Sequence, residues 1–334
     1  MRKVVMVTVT YNSARFLNDL VSSVGEALVK NSVDRWVFID CNSTDRTADL
    51  LGDLRSKHKE LNITVKREQE NLGYARGIEK AISYTRDFLD DDTLLIICNP
   101  DGYFQSNALD HLIDSFEYSR EDTGMVQPLI LKPDGSIDSA GNLMSIIGLV
   151  CPSPSLEATF FYTSGACFIT SYGIYRRVGG MDPNIFMGAD DLDLGWRVRL
   201  AGFDLKVCPK SVFYHVGRSG IRLGPKRLEW RTYSILWSMI KCMPYEALLC
   251  GVLAYLILHL NVALALSLRS RKPSYITSYF KALNRILRKM GILSDLRMAV
   301  RHSIKKALDK EVLTNLTPSR YVLKNAFRRY IKSI

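Results

Sequence analysis

The chain has 334 residues, 47% of them hydrophobic and 24% charged, which suits a large packed core and argues against a low-complexity or collagen-like polymer. Its formal charge of +11 sits at one end: residues 269–334 hold 17 Lys/Arg against 3 Asp/Glu, whereas the preceding 268 residues hold 28 against 31. A partner drawn by positive charge is therefore a partner of the C-terminal region, and seven scattered cysteines without a CxxC pair or Cys/His ligand spacing argue against a disulfide or zinc framework.

The N-terminus, "MRKVVMVTVTYNS", has a short β-branched apolar run ending in Asn-Ser. It lacks a long hydrophobic region and a cleavage site, so it reads as a first strand and not as a signal peptide. Similar runs predict strands over 4–10, 35–40, 62–66 and 94–98, and helical periodicity falls over about 14–29, 45–57, 73–90 and 106–118. That alternation points to βαβ units and a parallel sheet. Residues 125–170 differ, with a turn at "KPDGS" and short strands that include "FYTSGACFIT". Helical patterning returns at about 171–178 and 190–201, and there are no internal repeats.

Residues 247–268 form a 22-residue stretch without a charge, long enough to cross a bilayer, although His259, Asn261 and Ser267 interrupt it. Basic residues flank it on both sides, which keeps both flanks cytoplasmic and favours a re-entrant or surface-lying hairpin over a single span. A buried core helix is the plainer alternative. Ile276, Tyr279, Phe280, Leu283, Ile286, Leu287 and Met290 then recur at helical spacing opposite Lys281, Arg285, Arg288 and Lys289. Such a basic amphipathic helix packs on a domain or lies on an anionic membrane. No stacking aromatics are interleaved with the cations, so nucleic acid is not the expected partner.

In an open α/β sheet ligands collect at the carboxyl ends of the strands. Those ends here are "TYNS" (10–13), "DCNSTD" (40–45) and "NPDG" (99–102), all polar. Asp40 suits a carboxylate that hydrogen-bonds a base or ribose, and Asp101 one that holds a divalent cation against a diphosphate. Each is also ordinary turn chemistry when taken singly. Neither G-x-G-x-x-G after the first strand nor G-x-x-x-x-G-K-[ST] occurs, which disfavours dinucleotide oxidoreductases and P-loop enzymes. "NLGYARG" (71–77) could offer backbone N–H groups and one cation to a phosphate, or merely start a helix. "FMGADDLDLGWR" (186–197) crowds Asp190, Asp191 and Asp193 at a predicted helix start, where acids also serve as caps.

Taken in order, "VTVTYNS", "IDCNSTDRT", "NLGYARG", "CNPDGYF", "TSGACFIT", "VGGMDPNIFMGADDLDLGWRVRLAGF" and His215 resemble glycosyltransferase family 2, nearest to its rhamnosyltransferase-like, polysaccharide-assembly branch. The resemblance spans about residues 1–220. It implies a GT-A fold, an α/β architecture with a Rossmann-like mixed sheet, and an inverting transfer from a nucleotide-sugar donor with Mg²⁺ or Mn²⁺. By the same resemblance Thr10, Tyr11, Asp40, Gly73, Arg76 and Asn99 would bind the donor, and Asp101 with His215 the metal. Asn99 replaces the first acid of the family's metal motif, which implies a less exacting metal requirement. Asp191 falls in the position of the base, with Asp190 and Trp196 on the acceptor side. Asp193 is expected to support the helix.

The organisation that follows is a catalytic domain over 1–220 and a basic, helical, membrane-associating region over 221–334, with an anionic membrane surface met through 247–310. The expected activity moves a sugar, rhamnose being what the branch suggests, onto a hydroxyl of a lipid-linked glycan or polysaccharide precursor of the cell envelope. It would act at the cytoplasmic face of the membrane as a peripheral or monotopic protein, with the tail offering an interface for homo-oligomers. The alternatives are a polyprenyl-phosphate glycosyl synthase, whose anionic acceptor needs no base, and a non-catalytic sugar-nucleotide-binding scaffold.

Overall fold

Four apolar runs form the parallel half of the sheet in a computed structural model that describes residues 2–29, 33–57, 62–217 and 224–332. They are β1 (Val4–Thr10), β2 (Arg35–Asp40), β3 (Ile63–Arg67) and β4 (Leu94–Cys98), crossed over by α1 (Ala14–Val29), α2 (Thr47–Lys57) and α3 (Tyr74–Ser83). Except at the edge strand β3, these runs are buried almost throughout, as parallel strands covered on both faces must be. Beyond β4 the chain adds β5 (Gly102–Phe104), α4 (Ala108–Glu117), β6 (Thr123–Leu131), β7 (Ile137–Ser139) and the ribbon β8 (Asn142–Met144) with β9 (Val150–Pro152). Then follow β10 (Cys167–Ser171), α5 (Tyr172–Arg177), α6 (Asp190–Leu200) and β11 (Asp204–His215).

The main sheet runs β3-β2-β1-β4-β10-β6-β11-β5, with β7 beside β6. Pairing is parallel from β3 to β4 and between β6 and β11, and antiparallel where β10 joins β4 and β6 and where β5 joins β11. The sheet is therefore mixed, as the α/β expectation of a GT-A fold requires. The order reverses beside β1, whose neighbours are β2 and β4, and in open α/β sheets the ligand crevice lies at such a switch point, at the strands' carboxyl ends.

Alternation along β1 divides the core. Val4 and Met6 pack with Leu17, Leu20 and Leu112 on one face, and Val5 and Val7 with Ile78, Leu192 and Trp196 on the other. The second cluster does not stop near residue 220. It continues into Trp237 of α7 (Pro225–Cys242), Tyr255 of α8 (Tyr245–Ser270), Ile286 of α9 (Ser274–Arg288) and Leu293 of α10 (Met290–Ala299). The short α11 (Asp309–Thr314) and α12 (Ser319–Lys332) close the chain, α12 lying on the β8–β9 ribbon through Val322. Composition changes at the predicted boundary, but packing runs across it.

Beneath this surface lies a buried charge cluster. Lys241 Nζ of α7 sits 2.5 Å from Asp182 and 2.6 Å from Asp193, and Arg197 pairs with Asp193 one turn along α6 at 2.7 Å. Two acids and two bases neutralise one another where desolvation would make any one of them costly. Asp193 is thus a structural residue, and the cluster ties α7 to the loop that leads into α6.

Helix α8 has two unlike faces. Gly251, Tyr255, Ala263 and Ser267 are buried against the body, while Leu249, Leu253, Ile257 and Leu268 are 50–78% exposed. The polar interruptions face inward or bond to the helix itself: His259 stacks on Tyr255 and meets Thr232, Ser267 Oγ accepts from the Ile276 N–H, and Asn261 donates to Ile257 O. On α9, Tyr279, Ala282 and Ile286 are buried, and Arg285 stacks over Tyr233 at 4.3 Å, so most of its apolar face is used within the protein. Phe280 and Leu287 remain exposed.

Candidate active site

The site is assembled from the strand ends. Thr10 and Asp40 are opposite one another in the β1–β2 register, and both are fully buried. Thr10 Oγ1 donates to Asp40 Oδ1 at 3.2 Å, the Ser43 N–H donates to Asp40 Oδ2 at 3.2 Å, the Ser43 hydroxyl bonds the other oxygen, and Arg67 stands 3.5 Å away. Asn12, in the left-handed region at φ 53°, accepts the Thr44 N–H at 2.8 Å and locks the first loop to the second. Tyr11, in the same loop, is 43% exposed and faces outward.

Gly73 opens α3 at φ +75°, ψ −178°, a combination almost confined to glycine. A Cβ there would lie 2.3 Å from Phe186 O, and the adjacent Tyr74 N–H donates to that same oxygen at 2.9 Å. The 71–77 turn is thereby clamped to the loop that leads into α6 and so to Asp190 and Asp191. Arg76, on the first turn of α3, is exposed and 3.4 Å from Glu70.

On the other side of the crevice the Asn99 N–H donates to Ala166 O at 2.8 Å, and the neighbouring Gly165 N–H donates to Asp191 Oδ2 at 2.9 Å. The Leu192 N–H bonds Asp191 Oδ1 at 2.9 Å, so the carboxylate is gripped at both oxygens at the N-terminus of α6. Burial pushes the Asp191 carboxyl up, with the Gly165 and Leu192 N–H groups and the charge of Arg231 opposing it. Asp190 is pushed up by burial and then by the charge of Asp191 beside it. The pair shares one desolvated position at which two full negative charges are disfavoured.

Asp101 lies at the junction of β4 and β5, where Gly102 pairs with His215 at the end of β11. His215 Nε2 is 3.4 Å from Asp101 and its Nδ1 donates to Asp138 at 3.1 Å. Burial alone would lower the imidazole pKa, but Asp101 and Asp138 outweigh it and hold the ring up at about 9. The structure therefore gathers Asp101 and His215, as the sequence predicted, around an acid the sequence reading did not single out. Among the described residues, no three His, Cys, Asp or Glu side chains stand at metal-ligand spacing. The carboxylate oxygens of Asp101 and Asp138 suit a hard divalent cation such as Mg²⁺ or Mn²⁺, and His215 would join them only on giving up its Nε2 proton.

Three predicted site residues, Thr10, Asp40 and Trp196, are fully buried, and of these Trp196 lies farthest from its expected role. Trp196 is 0% exposed and packs edge-on against Phe161 at 5.3 Å, within the core. Its position on α6 turns it away from the face that presents Asp191, which corrects its assignment to the acceptor side. Residues missed from sequence are Tyr74, Asp138, Ser43 and Arg231. Tyr74 donates to Gly165 O at 2.7 Å, inside the turn already quoted as "NLGYARG". Asp138 follows the "KPDGS" turn, and nothing local distinguishes it from a loop acid. Arg231 belongs to α7 and reaches Val150 O at 3.2 Å, a contact between positions 81 residues apart.

Comparisons with known proteins bear on the family and the fold. The family model described as glycosyl transferase family 2 matches residues 5–175. The chain is 25% identical over 238 residues to an N-acetylglucosaminyl-diphospho-decaprenol L-rhamnosyltransferase of Mycobacterium tuberculosis, a match covering 63% of this chain and 75% of that one. Among solved structures, GalNAc-T7 with UDP, GalNAc and Mn²⁺ superimposes with a TM-score of 0.57 at 16% identity, over 74% of this chain and only 49% of that chain. The mannosyltransferase PcManGT of Pyrobaculum calidifontis, in complex with GDP-Man and Mn²⁺, gives 0.54 at 15% identity, over 99% of this chain and 88% of that one.

Proposed function

We propose, from the premise that the chain belongs to glycosyl transferase family 2 and is a glycosyltransferase, that it is an inverting, metal-dependent enzyme acting on a lipid-linked glycan precursor of the cell envelope. The observation that carries the reading is the Asp191 carboxylate, gripped by the Gly165 and Leu192 N–H groups beside the crevice formed by the strand ends.

An acceptor hydroxyl is a poor nucleophile at neutral pH. Asp191 accepts its proton as the oxygen bonds to the anomeric carbon, while the bond from that carbon to the donor diphosphate breaks. The displacement is direct, so the anomeric centre inverts. Asp191 suits the task because burial raises its basicity while two N–H groups hold its orientation. Asp190 supports it on the acceptor side. Tyr11 receives the nucleoside, with the buried Asp40, held by Thr10 and Ser43, fixing the strand ends behind it, and Gly73, Arg76 and Asn99 line the donor side. Asp101 and His215 are the residues that would hold Mg²⁺ or Mn²⁺, which when bound supplies Lewis-acid stabilisation of the departing diphosphate. Asp138 orients His215 from behind.

The lipid-linked acceptor is supported by the mycobacterial relative's name, and rhamnose is the sugar that name suggests. Membrane contact is supported by the exposed stripe of α8, a 26-residue helix with an 18-residue window of mean hydropathy 2.2, and the cytoplasmic face by the basic residues that flank it. The experiment incubates the full chain with Mn²⁺, a panel of nucleotide sugars that includes rhamnose donors, and a polyprenyl-diphosphate-linked N-acetylglucosamine acceptor. Transfer with inverted anomeric configuration, abolished by chelation and restored by Mn²⁺, is expected. Absence of both transfer and donor hydrolysis across the panel would refute the reading.

A further inference from the structure

The exposed stripe of α8 ends beside an open groove of about 760 Å³, lined by Lys226, Lys272, Lys281, Glu229, Ser274 and Thr277 among others. Three ammonium groups against one carboxylate leave the groove cationic, and the hydroxyls of Ser274 and Thr277 add neutral donors. Arg271, in the left-handed region at φ 53°, turns the chain from α8 into α9, so Lys272 follows the stripe's last leucine by four positions. Arg269 and Arg271 are exposed at the same end. The opposite end of α8 bears Tyr245 and Glu246, and the cation beside it, Arg297, is buried over the Tyr245 ring and donates to the Ile240 and Met243 carbonyls. Exposed cationic charge is thus concentrated at one end of an aliphatic stripe.

We propose that the α8 stripe and the adjoining lysine groove form one docking face for an anionic phospholipid bilayer, the stripe lying among the acyl chains and the groove taking a phosphate headgroup. The partner follows from the chemistry of the face. Leu249, Leu253, Ile257, Leu264 and Leu268 recur on one side of a helix whose other side is packed on the protein, so α8 lies along a surface and is not surrounded by lipid. The stripe is aliphatic and continuous, and aromatic anchors of the kind that concentrate binding energy at protein interfaces are confined to Tyr245 at its start. Lys226 extends over Trp230 at 5.2 Å, which fixes one ammonium at the groove's rim. The inference rests on the membrane contact proposed above and is independent of the sugar transfer.

The test is flotation of the full chain with vesicles of phosphatidylcholine alone or with phosphatidylglycerol added. Each lysine near an anionic surface contributes roughly fivefold, so wild-type protein is expected to prefer the anionic vesicles at least tenfold. A Lys226→Gln/Lys272→Gln/Lys281→Gln variant is expected to lose that preference and keep its binding to neutral vesicles. A Lys57→Gln/Lys132→Gln/Lys210→Gln variant, which removes three exposed lysines elsewhere, is expected to keep it. Leu253→Glu/Ile257→Glu is expected to abolish binding to both. Circular dichroism and melting check that each variant is folded. Equal losses in the two lysine variants, or a retained preference in the first, would overturn the headgroup site. Failure of the wild type to bind any vesicle would overturn the membrane contact with it, and leaves the transferase reading to its own assay.

Discussion

Replacing Lys241 by Met is predicted to weaken the whole fold, because one ammonium serves two buried carboxylates. Its Nζ stands 2.5 Å from Asp182 and 2.6 Å from Asp193, and its side chain is 2% exposed. Met preserves the apolar stem and removes the charge. Asp193 would keep Arg197, but Asp182 would retain only Trp237 Nε1–H and the Asn184 groups as donors. Removing one partner of a buried pair costs about 3–5 kcal/mol. At ~2.1 cal/mol/K per residue, the unfolding entropy of a chain this long is roughly 0.7 kcal/mol/K, so Tm should fall by about 4–7 °C. The loss should depend on pH with a definite sign. In the wild type burial would raise the Asp182 carboxyl, but Lys241 overrides this and holds it well below the usual carboxylate range. That interaction stabilises the protein above the ordinary Asp pKa and is lost as pH falls below it. In the variant burial acts unopposed and Asp182 takes up a proton more readily, so the gap between the two proteins narrows in acid. Thermal and urea unfolding at pH 8 and pH 3, the second value lying below the ordinary Asp pKa, measure it. An unchanged Tm, or the same deficit at both values, would refute the assignment.

Two further outcomes follow from the site. Gly73→Ala places a Cβ 2.3 Å from Phe186 O at a backbone geometry that costs other residues about 1–3 kcal/mol. Its kcat/KM should fall as the loop leading to Asp191 shifts, and normal turnover with unchanged Tm would contradict the clamp. The pH profile of kcat/KM should show an acidic limb rising with pH above the ordinary carboxylate range, since the base acts only when ionised and burial raises its pKa. Asp190→Asn removes a neighbouring negative charge and should move that limb to lower pH; a limb that stays in place would separate Asp191 from the rate.

The parallel half of the fold was legible because its strands are buried on both faces and read as uninterrupted apolar runs. The structure returns 4–10, 35–40 and 94–98 unchanged as β1, β2 and β4. Predicted helix 73–90 ends sooner, at Ser83, with a short 3₁₀ turn over Arg86–Phe88. The convergence of Asp101 with His215 was legible only through the resemblance, since more than a hundred residues separate them and the contact comes from β5 pairing with β11. Trp196 was misjudged because a place in the resembling motif says nothing of helix face: α6 is buried nearly all round, with little amphipathic signal to orient it. Arg231 and Asp138 lay beyond local reading for the same reason, each meeting its partners through long-range packing. The α9 pattern was real, but most of its apolar face packs against α7 and α8 within the protein.

The account rests on Asp191 as the base of a glycosyl transfer. The most direct measurement is single-turnover transfer by Asp191→Asn protein, with its true donor and acceptor, at a Tm matching wild type. Loss of the base predicts a rate lower by about 10²–10⁴ while donor binding is kept. A folded variant that transfers at near wild-type rate would contradict the assignment and favour an acceptor that is already anionic, such as a polyprenyl phosphate.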